Sequence, residues 1–162
     1  MLRLIAALVA AGGLTASQTS RPAQAETPHL VLTTSASVTA AAPGSRVSLF
    51  VDITPKPKMH VYSPEQKDVI PISLKLDAGD FKPHPIVLPK PEKYFFEPLN
   101  ETQLVFSKPF RIVQPVTLGS HVAGPTTVDI KGSVRYQACD DTICYVPVTV
   151  PVGWQVEIKK AR

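Results

Sequence analysis

Proline constrains this chain more than any other residue. It occupies 17 of 162 positions, about twice the usual ~5 %. Each proline lacks an N–H and costs about 3 kcal/mol inside a helix. Beyond residue 25 the prolines recur too often for a long amphipathic helix, and alternation of period two takes its place. Val47, Leu49, Val51 and Ile53 alternate with Ser48, Phe50 and Asp52. Ile70, Ile72, Leu74 and Leu76 form a second run. Val128, Ile130, Val134 and Tyr136 form a third, interrupted by Gly132. Val146, Val148, Val150 and Val152 form a fourth, and Val156 and Ile158 close the chain. Short runs bounded by Pro, Gly or Asp are strands. Several of them with regular turn signals predict an all-β sandwich.

The N-terminus reads as a leader. Arg3 is a positive n-region, Leu4 to Leu14 is an apolar run, and Ala23-Gln24-Ala25 is a small-x-small cleavage site. The pattern predicts a cleavable signal peptide over 1–25 and export to the periplasm. No other segment approaches the roughly 18 apolar residues of a membrane span. The expected mature chain, residues 26–162, is one domain of 137 residues. A core of that size does not need a disulfide to fold. Losing Arg3 and Arg21 leaves 15 Lys+Arg against 13 Asp+Glu, a net +2. The lysines are scattered without a basic stripe, so nothing suggests nucleic acid.

Two segments fall outside the simple strand pattern. His60-Val61-Tyr62-Ser63-Pro64 reads as a strand end and loop. Pro83 to Leu99, containing Tyr94-Phe95-Phe96-Glu97, reads as a long proline-rich loop, and three adjacent aromatics there suggest a lid. Trp154 reads as core. Asn100-Glu101-Thr102 fits a glycosylation sequon by chance.

The only two cysteines, Cys139 and Cys144, have four residues between them. A hairpin running from Thr127 to Ala138 and back from Tyr145 to Val152 would set them at facing positions. Facing Cα atoms lie roughly 4.5–5.5 Å apart, within disulfide range, and export lets such a bond persist. Asp140-Asp141-Thr142 supplies the turn. Three readings of the pair stand open. As an inert clip it is weak, because closing so short a loop contributes on the order of 2 kcal/mol. As a metal site it supplies half of a tetrahedral set. His60 would have to join it, and His29, His60, His84 and His121 are scattered along the chain. As a thiol–disulfide pair it faces Asp140 and Asp141, which disfavour a neighbouring thiolate. No cation lies within the turn. That suits a selective, partner-driven exchange better than a fast general nucleophile. No Ser-His-Asp order, phosphate loop or carboxylate pair stands out.

Tyr136-Gln137-Ala138-Cys139 and Cys144-Tyr145-Val146-Pro147 resemble the active-site hairpin of the N-terminal periplasmic domain of the thiol:disulfide interchange protein DsbD. The resemblance runs from about Leu30 to Ile158. His60-Val61-Tyr62-Ser63 resembles that family's aromatic segment, and Tyr94-Phe95-Phe96-Glu97 resembles its cap loop. The resemblance implies an immunoglobulin-like β-sandwich with the pair on an exposed hairpin. It implies a protein-disulfide reductase function in which Cys144 forms the mixed disulfide and Cys139 resolves it. Phe95 or Phe96 would shield the bond, Tyr62 would pack beside it, and no cofactor is needed. Partners would be thioredoxin-like periplasmic oxidoreductases and a DsbD/CcdA-type membrane electron conduit, of the kind used in cytochrome c biogenesis. No fused conduit or thioredoxin-like domain is expected beyond Arg162. The expectation is therefore a monomer, not inserted in the membrane, that relays between separate partners.

Overall fold

The structure is a computed structural model and describes residues 23–160. In chain order its first strands are β1 (Gln24–Glu26), β2 (Leu30–Ala36), β3 (Ala40–Ala41), β4 (Arg46–Pro55) and β5 (His60–Tyr62). Next come β6 (Ser73–Leu76), β7 (Phe81–Pro83), β8 (Glu92–Phe96) and β9 (Glu101–Phe106). The last are β10 (Phe110–Leu118), β11 (Thr126–Tyr136), β12 (Ala138–Cys139) and β13 (Val148–Ile158). The expected leader lies outside the described residues for positions 1–22. Gln24 and Ala25, just ahead of the expected cut, pair with Thr33 and Leu32 on β2.

Two sheets, ordered β1-β2-β4-β10-β7 and β3-β13-β11-β6, bury their inner rows in one core. Leu32, Leu49, Val51 and Ile112 of the first meet Ile130, Val134, Trp154 and Val156 of the second. Alternation does this directly, because on β4 Val47, Leu49, Val51 and Ile53 are buried while the residues between them are half-buried. Trp154 joins the two sheets, donating its indole N–H to the Phe50 carbonyl at 3.0 Å. The chain is thus the expected all-β sandwich with its cysteines on a hairpin.

A third sheet, β12-β5-β9-β8, positions the site by having two different faces. Val61, Ala138 and Phe106 point into the sandwich core. The alternating residues His60, Tyr62, Val105 and Cys139 point the other way, and Tyr62, Val105 and Cys139 form their own small cluster with Val69 and Tyr94 against it. Residues facing each other across an antiparallel pair share a side of the sheet. The pairs Cys139↔His60, Tyr62↔Val105 and Tyr94↔Gln103 therefore put all six side chains on the site face.

Three sequence expectations change. Pro83 to Leu99 is not one loop, because Glu92–Phe96 is a strand paired with β9 and Val87 bridges to Val113. Its alternation is masked by the flanking Pro91 and Pro98. Ile70 and Ile72 precede a strand that starts only at Ser73, although the Ile72 N–H still bonds to the Tyr62 carbonyl at 2.9 Å. The last two apolar runs are one strand, Val148–Ile158, and Val146 lies outside it, 80 % exposed. Strand β10 had no signal because Pro115 interrupts it. The Pro115 carbonyl accepts from the His84 N–H, so the missing proline N–H faces His84 as well. The Gln114 side-chain amide donates to the His84 carbonyl at 2.7 Å and fills the gap.

Candidate functional site

Tyr136 ends β11 opposite Val148, yet Ala138 receives the Tyr145 N–H at 2.8 Å and Cys139 bridges to Cys144. The hairpin register therefore slips by one residue at Val146-Pro147, where proline has no N–H to give to the ladder. Past the slip, Cys139 and Cys144 face each other with Cα atoms 4.0 Å apart and are joined as a disulfide. Gln137 clamps the return strand by donating its side-chain amide to the Tyr145 carbonyl at 3.0 Å.

The turn is built around Asp140. One carboxylate oxygen accepts from the Thr142 N–H, the Thr142 hydroxyl and the Ile143 N–H at 2.8, 2.8 and 2.9 Å. The other accepts from the Tyr145 hydroxyl at 2.7 Å. The Tyr145 bond, followed by the two backbone N–H groups, holds the Asp140 carboxyl far below the usual carboxylate range. The same bond raises the Tyr145 hydroxyl. A carboxylate depressed in the fold stabilises it above the unfolded value near 3.9. That contribution is lost as pH falls through the lower folded value. Thermal unfolding from about pH 4 down to about pH 2 is expected to lose stability more steeply in the native protein than in Asp140→Asn. Equal slopes would separate Asp140 from acid stability.

The two sulfurs sit in unlike places. Cys139 is fully buried in β12, whereas Cys144 is exposed on the turn. The buried Tyr62 hydroxyl lies 3.3 Å from both sulfurs. Disulfide sulfurs carry no hydrogen, so the hydroxyl is the donor and its single proton is shared between them. Burial raises the Tyr62 hydroxyl above its ordinary range. Over this face lies Tyr94, which donates to Asp141 at 2.9 Å and sets its ring 4.5 Å from that of His60. Burial first, then the Asp141 bond, raises the Tyr94 hydroxyl.

The sequence candidates sort by face. Tyr62, Tyr94, Asp140 and Asp141 all meet the pair or its turn. Phe96 shares the face of Tyr94 and is buried, whereas Phe95 lies on the opposite face of β8 and is 55 % exposed. Asn100, the sequon asparagine, adopts φ +52° in the turn between β8 and β9, a left-handed position that suits asparagine. Among the described residues no three His, Cys, Asp or Glu side chains converge as a metal set. His29 packs on Tyr145, His84 bonds to Thr117 and His121 faces Asp80.

His60 is the residue that sequence proximity hid, being 79 positions from Cys139. It is 2 % exposed, stands directly across the ladder from Cys139, and its Nε2 has no hydrogen-bond partner. Burial pushes the imidazole down, partly opposed by Asp141 and Asp140. Only strand pairing reveals this neighbour.

The chain matches the family described as thiol:disulfide interchange protein DsbD, N-terminal, over residues 27–152. No curated protein matches it. Among solved structures it is similar to the N-terminal periplasmic domain of ScsB from Proteus mirabilis. The TM-score is 0.54 at 11 % identity, covering 83 % of this chain and 50 % of that one. The chain thus spans half the length of that structure, and the likeness is one of fold. It is also similar to the Neisseria meningitidis DsbD N-terminal domain in the reduced form. There the TM-score is 0.48 at 19 % identity, covering 74 % of this chain and 82 % of that one. Among the described residues no helix is long and apolar enough to cross a membrane.

Proposed function

This chain belongs to the family of DsbD N-terminal domains, and from that premise we propose that it is a periplasmic protein-disulfide reductase component. It relays reducing equivalents between thioredoxin-like oxidoreductases, with a DsbD/CcdA-type membrane conduit as the upstream source. The observation that carries this reading is the asymmetry of the pair, with Cys144 exposed and Cys139 buried. An incoming thiolate reaches only the Cys144 sulfur. Its attack forms a mixed disulfide there, breaks the Cys139–Cys144 bond and leaves the electron pair on Cys139. The donor's second thiol then attacks the donor's own sulfur and frees Cys144, so two electrons have entered. In the outgoing half, the Cys144 thiolate attacks an acceptor disulfide and Cys139 resolves it.

The neighbours divide the work. The Tyr62 hydroxyl, already 3.3 Å from the Cys139 sulfur, donates to the departing thiolate. Tyr94, packed against the Tyr62, Val105 and Cys139 cluster, covers the buried side of the bond and keeps Cys139 from any partner that does not displace it. Phe95, on the outer face of β8, is available to a partner that does. Asp140 and Asp141 keep the reduced thiols protonated until a partner docks. Tyr62→Phe removes one hydrogen bond to a forming charge, about 1.5 kcal/mol, and is expected to slow reduction by a thioredoxin-type dithiol about tenfold. An unchanged rate would remove the hydroxyl from the mechanism.

The reduction potential separates the relay from a structural clip in a binding module. A relay pair equilibrates with glutathione or thioredoxin buffers at roughly −270 to −120 mV, whereas a structural bond lies below about −300 mV. A value in the lower range would overturn the relay.

A further inference from the structure

The relay leaves a proton without a destination. In the outgoing half, Cys139 must lose its proton in order to attack the Cys144 sulfur. It is fully buried, and two aspartates stand on the adjoining turn, so both burial and charge oppose a free thiolate. A base inside the site would meet this need, and the ladder places an imidazole opposite. His60 faces Cys139 across β5 and β12, and its buried Nε2 has no partner while the disulfide is closed. A polar atom in that state is rare in a folded interior. Reduction supplies the missing partner, because an S–H then exists on the same face of the sheet. The ring is held between Tyr94, tilted at 41° with its centroid 4.5 Å away, and Tyr62, edge-on at 6.2 Å.

We propose that His60 accepts the Cys139 thiol proton as Cys139 resolves the mixed disulfide held on Cys144. The inference rests on the relay reading above and adds the proton path to it. With its proton on Nδ1, the neutral ring presents the Nε2 lone pair to the thiol. The proton passes from Cys139 to Nε2. The Cys139 thiolate attacks the Cys144 sulfur, the partner's sulfur leaves with the electron pair, and the imidazolium returns the proton to that thiolate or to solvent. The ionisable groups facing His60 are Tyr62 on its own strand, Cys139 on β12, Tyr94 on β8, and Asp140 and Asp141 on the turn. Glu101 of β9 acts on Tyr62. Burial keeps the resting ring neutral, as a base must be, while the two aspartates favour the imidazolium once it forms.

The reduced full-length protein, mixed with the aryl disulfide dithiobis-nitrobenzoate, releases thionitrobenzoate in two phases. The first reports attack by Cys144 and the second reports resolution by Cys139. In His60→Gln, and equally in the similarly sized apolar His60→Leu, the second phase near neutral pH is expected to slow by about 10²-fold. It should then rise with hydroxide concentration, with the first phase unchanged. A second phase with native rate and native pH profile in both variants overturns the role of His60. The relay reading is tested separately by Cys139→Ser, which must lose the second phase entirely. If it does not, the relay fails, whatever His60 does.

Discussion

Cys144→Ser is expected to abolish electron transfer completely, while Cys139→Ser accumulates a covalent complex with a thioredoxin-fold partner. The two variants remove the same disulfide, so a clip would make them equivalent. Here they differ because one sulfur faces solvent and the other is fully buried. A partner bonded to Cys144 can be released only by a second thiol, and Cys139 is the one across the turn, with its Cα 4.0 Å from that of Cys144. Without it the only route out is back-attack by the partner's own second cysteine, which regenerates the partner disulfide, so the complex accumulates under excess oxidised partner. A non-reducing gel of each reduced variant incubated with an excess of a thioredoxin-type disulfide reads the outcome directly. Equal behaviour of the two variants, or trapping on Cys139 instead of Cys144, would overturn the assignment.

The second large effect concerns attachment of the site to the sandwich. Phe106 closes β9, faces Val61 across the ladder, stacks on Phe110 at 4.4 Å and is 3 % exposed. It belongs to the main core, while its neighbour Val105 belongs to the site cluster. Phe106→Ala removes a ring that the rigid sheets around it cannot replace, at a cost of about 3–5 kcal/mol. A domain of this kind has only about 5–15 kcal/mol in total. Urea unfolding should show a lower midpoint with an unchanged slope. A loss under about 1 kcal/mol would mean that the third sheet is held elsewhere.

Much of the sandwich was legible because one-sided burial writes itself as alternation. Val47 to Ile53 and Val128 to Tyr136 are read correctly from the sequence alone. The failures have physical causes. Pro115 hides β10 because its missing N–H is compensated by Gln114, a side-chain device with no periodic signature. Glu92–Phe96 passes for a loop because prolines flank a strand whose partner supplies the pairing. At the site, Cys139, Cys144, Asp140 and Asp141 lie within one short turn and could be read together, and Tyr94, Phe95 and Phe96 could be read as one aromatic segment. Which of its rings reaches the turn depends on which face of β8 each occupies, and that turned on the pairing with β9. His60 entered the sequence reading only as a third metal ligand, because 79 positions separate it from Cys139. The ladder places one directly opposite.

The alternation of β5 also sets how this protein tolerates changes in length. His60 and Tyr62 serve the chemistry while Val61 between them serves the core, so a single inserted or deleted residue in this short strand exchanges the two sets at once. Valine would then face the sulfurs and histidine the hydrocarbon. The mostly exposed stretch from Pro64 to Asp68 carries no such parity. In a library of single-residue insertions, viable members should therefore cluster just past Tyr62 and vanish within three residues that, judged by composition alone, look as replaceable as any loop.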